Sequence, residues 1–376
     1  MITKRTLQFT VILILAVACS SPKKAGERWS EEKANQWYSQ TGWLIGCNYT
    51  PAYAVNPIEI WQAGTFDTSR ISVELKWAAD LGFNTVRVFL HNLVWEQDGE
   101  AYLKRIDDFL KVADRHGIST MPVLFDAVWN PVGTTGIQPE PVPHKHNSGW
   151  VQCPVAGQLK DTSDYSNLEK YTKAVISRFA TDKRVVIWDL YNEPDNDNFG
   201  KFPKTELKNK RDYTYFLLTC VFAWARSVNP GQPLTAGVWW GDWSEEKLAS
   251  NRFNVFQLEN SDVISFHNYG NITEFNKLIS LLKRFNRPLV WTEYIARPNG
   301  SNFFDMLPVM KEGKISGYNW GFVKGRSNTI YPWNSWDSVY TAEPEIWFHD
   351  ILRENGEPWS PSEAEFIRKT TGHRTD

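Results

Sequence analysis

The sequence has little net charge, few cysteines and no long apolar run after its first twenty residues. Its formal net charge of −2 gives no indication of nucleic acid as a partner, because such binding depends on basic surfaces. Repeats and low-complexity stretches are also absent. A chain of 376 residues with 42% hydrophobic residues has the balance of an ordinary globular protein. We therefore expect one folded domain over residues 29–376, present as a monomer.

The first residues have the pattern of an export signal. Basic residues at positions 4 and 5 precede the apolar residues 11–18, a run too short to span a bilayer. Cys19 follows directly, as in the bacterial lipoprotein cleavage box, whose cysteine becomes lipidated. The sequence predicts a lipoprotein signal peptide at 1–18, a membrane anchor on Cys19 and a polar tether at 19–28. Such a protein belongs in the outer membrane or the periplasm, and plain secretion is the alternative.

The cysteines of the predicted domain do not form a recognisable metal motif. Cys47, Cys153 and Cys220 are far apart in the sequence, and an odd number of them in an exported protein leaves at least one unpaired. One disulfide among them is an open alternative. His144 and His146 also suggest metal ligands, but no third ligand follows nearby, so we expect neither a metal nor another cofactor.

Short β-rich runs alternate with longer amphipathic runs through the domain. This alternation implies parallel strands joined by helical crossovers. Eight such units favour a single (β/α)8 TIM barrel over an open doubly wound sheet, which usually carries a glycine-rich turn after its first strand. Long loops follow the third and eighth candidate strands. The candidate strands are residues 43–48, 85–90, 119–125, 185–190, 234–238, 263–267, 289–292 and 315–320.

Two glutamates lie where the fourth and seventh candidate strands end. Glu193 stands within Asn-Glu-Pro, and Glu293 within Thr-Glu-Tyr. Either one alone is compatible with a polar turn or a structural ion pair. In a barrel, however, both strand ends face the central cavity, and glycoside hydrolysis needs two carboxyl groups on either side of the scissile bond. We predict Glu193 as the acid/base and Glu293 as the nucleophile.

Further side chains at strand ends are predicted to bind the substrate. Arg87 could keep the nucleophile ionised, Tyr269 could donate a hydrogen bond to it, and His267 could bind a sugar hydroxyl. Trp320 is a candidate floor for a sugar ring, and Trp240 a candidate rim residue. For Arg87 the alternative is a structural salt bridge, and for His267 it is a buried histidine satisfied by its neighbours. For the two tryptophans the alternative is ordinary aromatic packing.

The order of these motifs resembles clan A glycoside hydrolases, and most closely the cellulase-like glycoside hydrolase family 5. Stretches around residues 46–49, 146–150 and 292–300 resemble bacterial exported proteins described as cellulase-like or 1,4-β-xylanase. The resemblance implies a barrel, a retaining mechanism and a sugar 2-hydroxyl bound by Asn192. Family members often carry a histidine near the end of the third strand, where this chain has Asp126, which is a further candidate for substrate binding.

The sequence leaves the substrate open among β-linked carbohydrates: xylan, mannan, β-glucan and β-galactoside all remain. The long loops at 130–164 and 323–343 should wall the cleft, but the sequence does not choose between endo- and exo-action. A second functional class is an inactive barrel that binds glycans at the cell surface. A hydrolase of phosphate or amide bonds is a third, but it would require a metal cluster or a phosphate-binding loop.

Overall fold

The computed structural model describes residues 26–163 and 165–372, in which eight parallel strands form one sheet. The strand order is β5-β4-β3-β2-β1-β8-β7-β6, and a bridge between Val238 and Phe266 joins the two outer strands. The predicted (β/α)8 barrel is confirmed. The strands are β1 Ile45–Asn48, β2 Thr85–Phe89, β3 Ser119–Val123, β4 Trp188–Asp189, β5 Leu234–Thr235, β6 Ile264–His267, β7 Leu289–Tyr294 and β8 Ser316–Asn319.

Every predicted strand has a counterpart, although the lengths differ. Strands β4 and β5 contain two residues each, so they are much shorter than the apolar runs that predicted them. Strand β7 is longer than predicted and includes Glu293. Nearly all strand residues are buried, as expected for parallel strands covered by helices.

Helices surround the barrel, and most of them begin at a residue whose side chain caps the first turn. Asp67, for example, accepts hydrogen bonds from the backbone N–H groups of Ser69 and Arg70. Gly82 and Gly117, each just past the end of a helix, have positive φ angles of 78° and 69°. The α-helices are α1 Glu31–Thr41, α2 Pro57–Trp61, α3 Thr68–Asp80, α4 Asn92–Arg115, α5 Ala156–Lys160, α6 Ser166–Phe179, α7 Lys210–Val228, α8 Glu245–Leu248, α9 Arg252–Asn260, α10 Ile272–Leu282, α11 Phe303–Glu312 and α12 Pro361–Thr371.

The chain enters the barrel at the N-terminal ends of the strands. The backbone N–H of Trp29 donates to Asp262 at 2.7 Å, and Arg287 donates to the Trp29 carbonyl at 2.8 Å. Asp262 and Arg287 stand just before β6 and β7. Residue 29 is therefore fixed to the face opposite the C-terminal strand ends.

The predicted signal peptide, the predicted lipidation site Cys19 and most of the predicted tether lie outside the described residues. Within the described ranges, none of the helices has both the length and the apolar character that crossing a membrane requires. Cys47, Cys153 and Cys220 are all free, so no disulfide joins them.

The loops after β3 and β8 pack against each other above the barrel. The rings of Trp129 and Trp336 are stacked with their centroids 5.3 Å apart. The Trp336 indole donates to the His146 carbonyl at 2.9 Å, and His144 contacts the Tyr340 carbonyl at 2.7 Å. The two loops form one continuous wall.

Candidate active site

Glu193 and Glu293 meet at the C-terminal ends of the strands. An oxygen of each carboxyl group and a ring nitrogen of His267 lie within 4.8 Å of one another. Both glutamates are buried, and both line a cavity of about 560 Å³ that opens at this face of the barrel. Two carboxyl groups this close, in a cavity large enough for sugar rings, can act on opposite sides of one bond.

Glu293 lies in β7 against a cation and a hydroxyl. Arg87 donates to its Oε1 at 2.9 Å, and the Tyr269 hydroxyl donates to its Oε2 at 2.8 Å. Burial raises the pKa of Glu293, and the charge of Arg87 and the hydrogen bond from Tyr269 oppose that shift. These contacts favour the ionised carboxylate, which is the form that a nucleophile needs.

Glu193 has neutral partners instead. It follows β4 with a φ of 43°, in the left-handed region, and it lines the cavity. Asn196 donates to its Oε2 at 2.7 Å, and His267 Nδ1 lies 2.8 Å from its Oε1. Burial raises the pKa of Glu193 to about 7 and lowers the pKa of His267 to about 4. Glu193 therefore holds a proton near neutral pH more readily than an ordinary glutamate does.

Arg87 lies beneath the cavity rather than within it. The sequence predicts it as a substrate-binding residue, but its side chain is fully buried. It donates to Asp189 at 3.0 Å, to Asn48 at 2.7 Å and to Asn192 at 2.6 Å, besides Glu293. The pairing with Asp189 has no counterpart among the sequence predictions. Arg87 is therefore not among the residues that line the cavity, and its hydrogen bonds go to other side chains of the site.

Asp126 holds Asn192 from the other side. Its Oδ1 accepts from Asn192 at 2.9 Å and from the Val128 N–H at 3.1 Å, while its Oδ2 accepts from the Trp150 indole at 2.7 Å. Burial raises the pKa of Asp126 to about 7. Because Arg87 binds the Asn192 oxygen and Asp126 binds the nitrogen, the orientation of this amide is fixed.

Aromatic side chains form a large part of the cavity wall. Trp320 packs edge-on against Phe89 and Trp150, with ring centroids 5.8 and 5.9 Å apart. Trp240 is 51% exposed and stands at the rim. The tryptophans of the lining are Trp129, Trp150, Trp239, Trp240, Trp320, Trp333 and Trp336. Such faces suit the stacking of sugar rings.

Two residues near Glu193 were not predicted from the sequence. Asn196 contacts its carboxyl group directly. Asp195 is buried, accepts a hydrogen bond from the Trp239 indole at 2.5 Å, and raises the pKa of Glu193 through its charge. The polar run that follows Asn-Glu-Pro was the available signal, but a polar run after a strand is equally typical of a solvated turn.

Comparisons with known proteins agree with this geometry. The family model for Cellulase (glycosyl hydrolase family 5) matches residues 68–322. No curated protein sequence matches the chain.

Solved structures show a shared fold at low sequence identity. The GH5_18 protein of Streptomyces cattleya, in complex with GlcNAc, is 14% identical in sequence, with a TM-score of 0.56. The superposition covers 89% of this chain and 82% of the Streptomyces chain. The endo-β-1,4-mannanase of Thermotoga petrophila is 13% identical with a TM-score of 0.55, covering 90% and 79%. The exo-β-1,4-mannosidase of Opitutaceae bacterium strain TAV5 is 17% identical with a TM-score of 0.58, covering 88% and 59%.

The family match extends from α3 to the end of β8 and includes both glutamates. The chain therefore belongs to glycosyl hydrolase family 5, and it is a glycoside hydrolase.

Proposed function

We propose that the protein is a retaining β-glycosidase that acts by double displacement. The observation that carries this proposal is the pair of carboxyl groups, whose nearest oxygens lie within 4.8 Å. Retaining glycosidases keep their two carboxyl groups about 5–5.5 Å apart, whereas inverting enzymes leave room for a water molecule at about 6.5–9.5 Å. The short separation favours direct attack by one carboxylate on the sugar.

The different environments of the two glutamates suit them to different catalytic roles. Glu293, held by Arg87 and Tyr269, attacks the anomeric carbon and forms a covalent glycosyl ester. Glu193, with its pKa raised to about 7, donates its proton to the leaving oxygen. In the second step Glu193 removes a proton from water, which attacks the same carbon and releases Glu293.

Asn192 and Trp320 then bind the sugar at the reacting position. The Asn192 amide, fixed by Arg87 and Asp126, is oriented toward a hydroxyl beside the anomeric carbon, and Trp320 supplies a flat apolar face. Hydrogen bonds to that hydroxyl strengthen as the transition state forms. The presence of both carboxyl groups with these supports disfavours an inactive, glycan-binding barrel.

The stereochemistry of the product tests the mechanism. The first sugar released from a 4-nitrophenyl β-glycoside, followed by proton NMR, is expected to be the β-anomer. Initial α-anomer would reject retention. The assay begins with gluco-, manno-, galacto- and xylosides, because the structurally similar proteins named above include a mannosidase and a mannanase but share only the fold.

Azide rescue assigns the two glutamates separately. Glu193→Ala with azide should yield the β-glycosyl azide, because azide replaces water in the second step. Glu293→Ala with azide should yield the α-glycosyl azide, because azide replaces the nucleophile itself. The opposite pairing of products would reverse our assignment. Glu246→Ala, at an exposed position of α8, is the control and should keep wild-type activity.

We further propose that the enzyme cleaves near chain ends. The wall formed by the β3 and β8 loops covers one side of the cavity, and Lys201 of the β4 loop pairs with Asp337 of the β8 loop. The cavity remains open beside Trp240 at the end of β5. A blocked side favours short glycone segments, and the open side accepts the leaving group. Time-resolved chromatography should show release of mono- or disaccharides from the first minutes; random mid-length products would contradict chain-end action.

Export with a lipid on Cys19 is also part of the proposal. Its support is the charged and apolar pattern before Cys19, followed by a polar tether. The substrate of such an enzyme would be carbohydrate available in the periplasm or at the cell surface.

A further inference from the structure

The mechanism leaves His144 and His146, which lie two residues apart in the β3 loop, without a role. The structure separates them. His146 is buried and contributes to the lining of the cavity, whereas His144 contacts the Tyr340 carbonyl in the outer part of the loop wall and does not line the cavity.

The protonation of His146 follows from its neighbour. Its Nδ1 lies 2.9 Å from the backbone carbonyl of Tyr331, and a carbonyl only accepts hydrogen bonds. The proton is therefore on Nδ1. Burial lowers the pKa of His146 to about 4, so the ring is neutral near pH 7. A neutral imidazole protonated at Nδ1 has a bare lone pair at Nε2, which is a hydrogen-bond acceptor.

No donor of the described residues satisfies that lone pair. The His349 ring is nearby, with its centroid 5.2 Å away, but its own Nδ1 faces the Ile295 carbonyl. His349 therefore also presents an acceptor at Nε2 and cannot donate to His146. The backbone of His146 is held in place, because its N–H donates to Ser335 at 3.0 Å and its carbonyl accepts from Trp336 at 2.9 Å.

The position of His146 indicates which part of a substrate it would meet. The Tyr269 hydroxyl binds the proposed nucleophile. The Tyr269 ring packs edge-on against Trp333, with ring centroids 4.9 Å apart, and the centroid of Trp333 lies 6.5 Å from that of His146. His146 is also part of the wall formed by the β3 and β8 loops, through its contacts with Ser335 and Trp336. The chain-end cleavage proposed above assigns the glycone to this walled side of the cavity.

We propose that His146 Nε2 accepts a hydrogen bond from a hydroxyl group of the glycone and so selects a neutral sugar at that position. The proposal rests on the glycosidase function proposed above. A bare lone pair in a buried site attracts a hydroxyl and repels a carboxylate, so a uronic acid with its carboxylate at this position is rejected.

The test compares His146→Ala with the matched variant His144→Ala. The substrate is the 4-nitrophenyl β-glycoside that the wild-type protein cleaves fastest, together with its 2-, 3-, 4- and 6-deoxy analogues. Loss of one neutral hydrogen bond should lower kcat/KM of His146→Ala about five- to tenfold. His144→Ala should stay within about twofold of wild type. His146→Gln, which keeps a neutral acceptor, should recover part of the loss.

The deoxy analogues distinguish binding from structural damage. For one analogue, wild type should already be slow and His146→Ala should cause no further loss, because the hydroxyl is absent. An equal loss on every analogue, or wild-type kinetics in His146→Ala, would overturn the role of His146 while leaving the glycosidase intact. Failure of the wild-type protein to cleave any glycoside would overturn both proposals.

Discussion

Replacing the acid/base by its amide should make the protein more stable while making it inactive. The pKa of Glu193 rises from 4.5 to about 7 on burial, so the folded state binds a proton more tightly than the unfolded chain does. The resulting stability is fully present below about pH 4.5 and is lost as the pH rises through about 7. The difference between these two pKa values corresponds to about 3 kcal/mol of the free energy of unfolding, because each pKa unit equals about 1.4 kcal/mol.

Glu193→Gln removes this titration. The amide oxygen still accepts the hydrogen bond from Asn196, and the amide nitrogen can donate to His267 Nδ1, so the contacts of the protonated acid are preserved. Relative to wild type, the free energy of unfolding of Glu193→Gln should gain about 3 kcal/mol between about pH 4.5 and about pH 9. Asp126 titrates in both proteins and largely cancels in the difference.

Urea denaturation of both proteins at several pH values measures this difference. Glu246→Gln, at an exposed position, is the control and should show no such pH-dependent gain. A constant difference between Glu193→Gln and wild type across the whole range would refute the reasoning, because it would mean that Glu193 titrates alike in the folded and unfolded states. A difference that shifts in favour of wild type as the pH rises would show that the ionised form is the one the fold prefers.

Other perturbations give equally direct outcomes. In the wild-type protein, kcat/KM should fall about tenfold per pH unit above about pH 7, as Glu193 loses its proton; a flat alkaline limb would contradict its role as the acid. Asp126→Asn should lower kcat at least tenfold and destabilise the protein by about 1–3 kcal/mol, because the amide nitrogen of the new side chain would face the N–H donor of either Asn192 or Trp150. Unchanged kinetics would show that Asp126 is not needed to orient Asn192. Trp240→Ala should raise KM for oligosaccharides but not for 4-nitrophenyl monosaccharides, and an equal effect on both would place the rim residue outside the leaving-group path. Cys19→Ala should move the protein from the membrane fraction to the soluble fraction, and no redistribution would reject the lipid anchor.

The barrel and its two glutamates were visible in the sequence for a physical reason. A buried parallel strand needs a continuous apolar run, and a barrel uses the ends of such runs for chemistry, so Asn192-Glu193 after one run and Glu293 after another are recognisable. The two-residue length of β4 was not predictable, because the hydrophobic run that predicts a strand does not specify how many of its residues pair.

The contacts around the glutamates were less predictable because they join distant parts of the chain. The hydrogen bond from Trp336 to the His146 carbonyl spans 190 residues, and the one from Arg87 to Asn192 spans 105. No local pattern encodes such a pairing. The sequence predicts Arg87 as a cation near the nucleophile. Whether Arg87 lines the cavity or lies beneath it depends on side-chain packing within the barrel.

The attachment of Trp29 at the N-terminal ends of β6 and β7 places the start of the folded domain on the face opposite the cavity mouth. With the proposed lipid on Cys19, ten tether residues reach at most roughly 35 Å from the membrane. A glycan arriving from the aqueous side then meets the open rim at Trp240 first, without passing between the protein and the lipid surface.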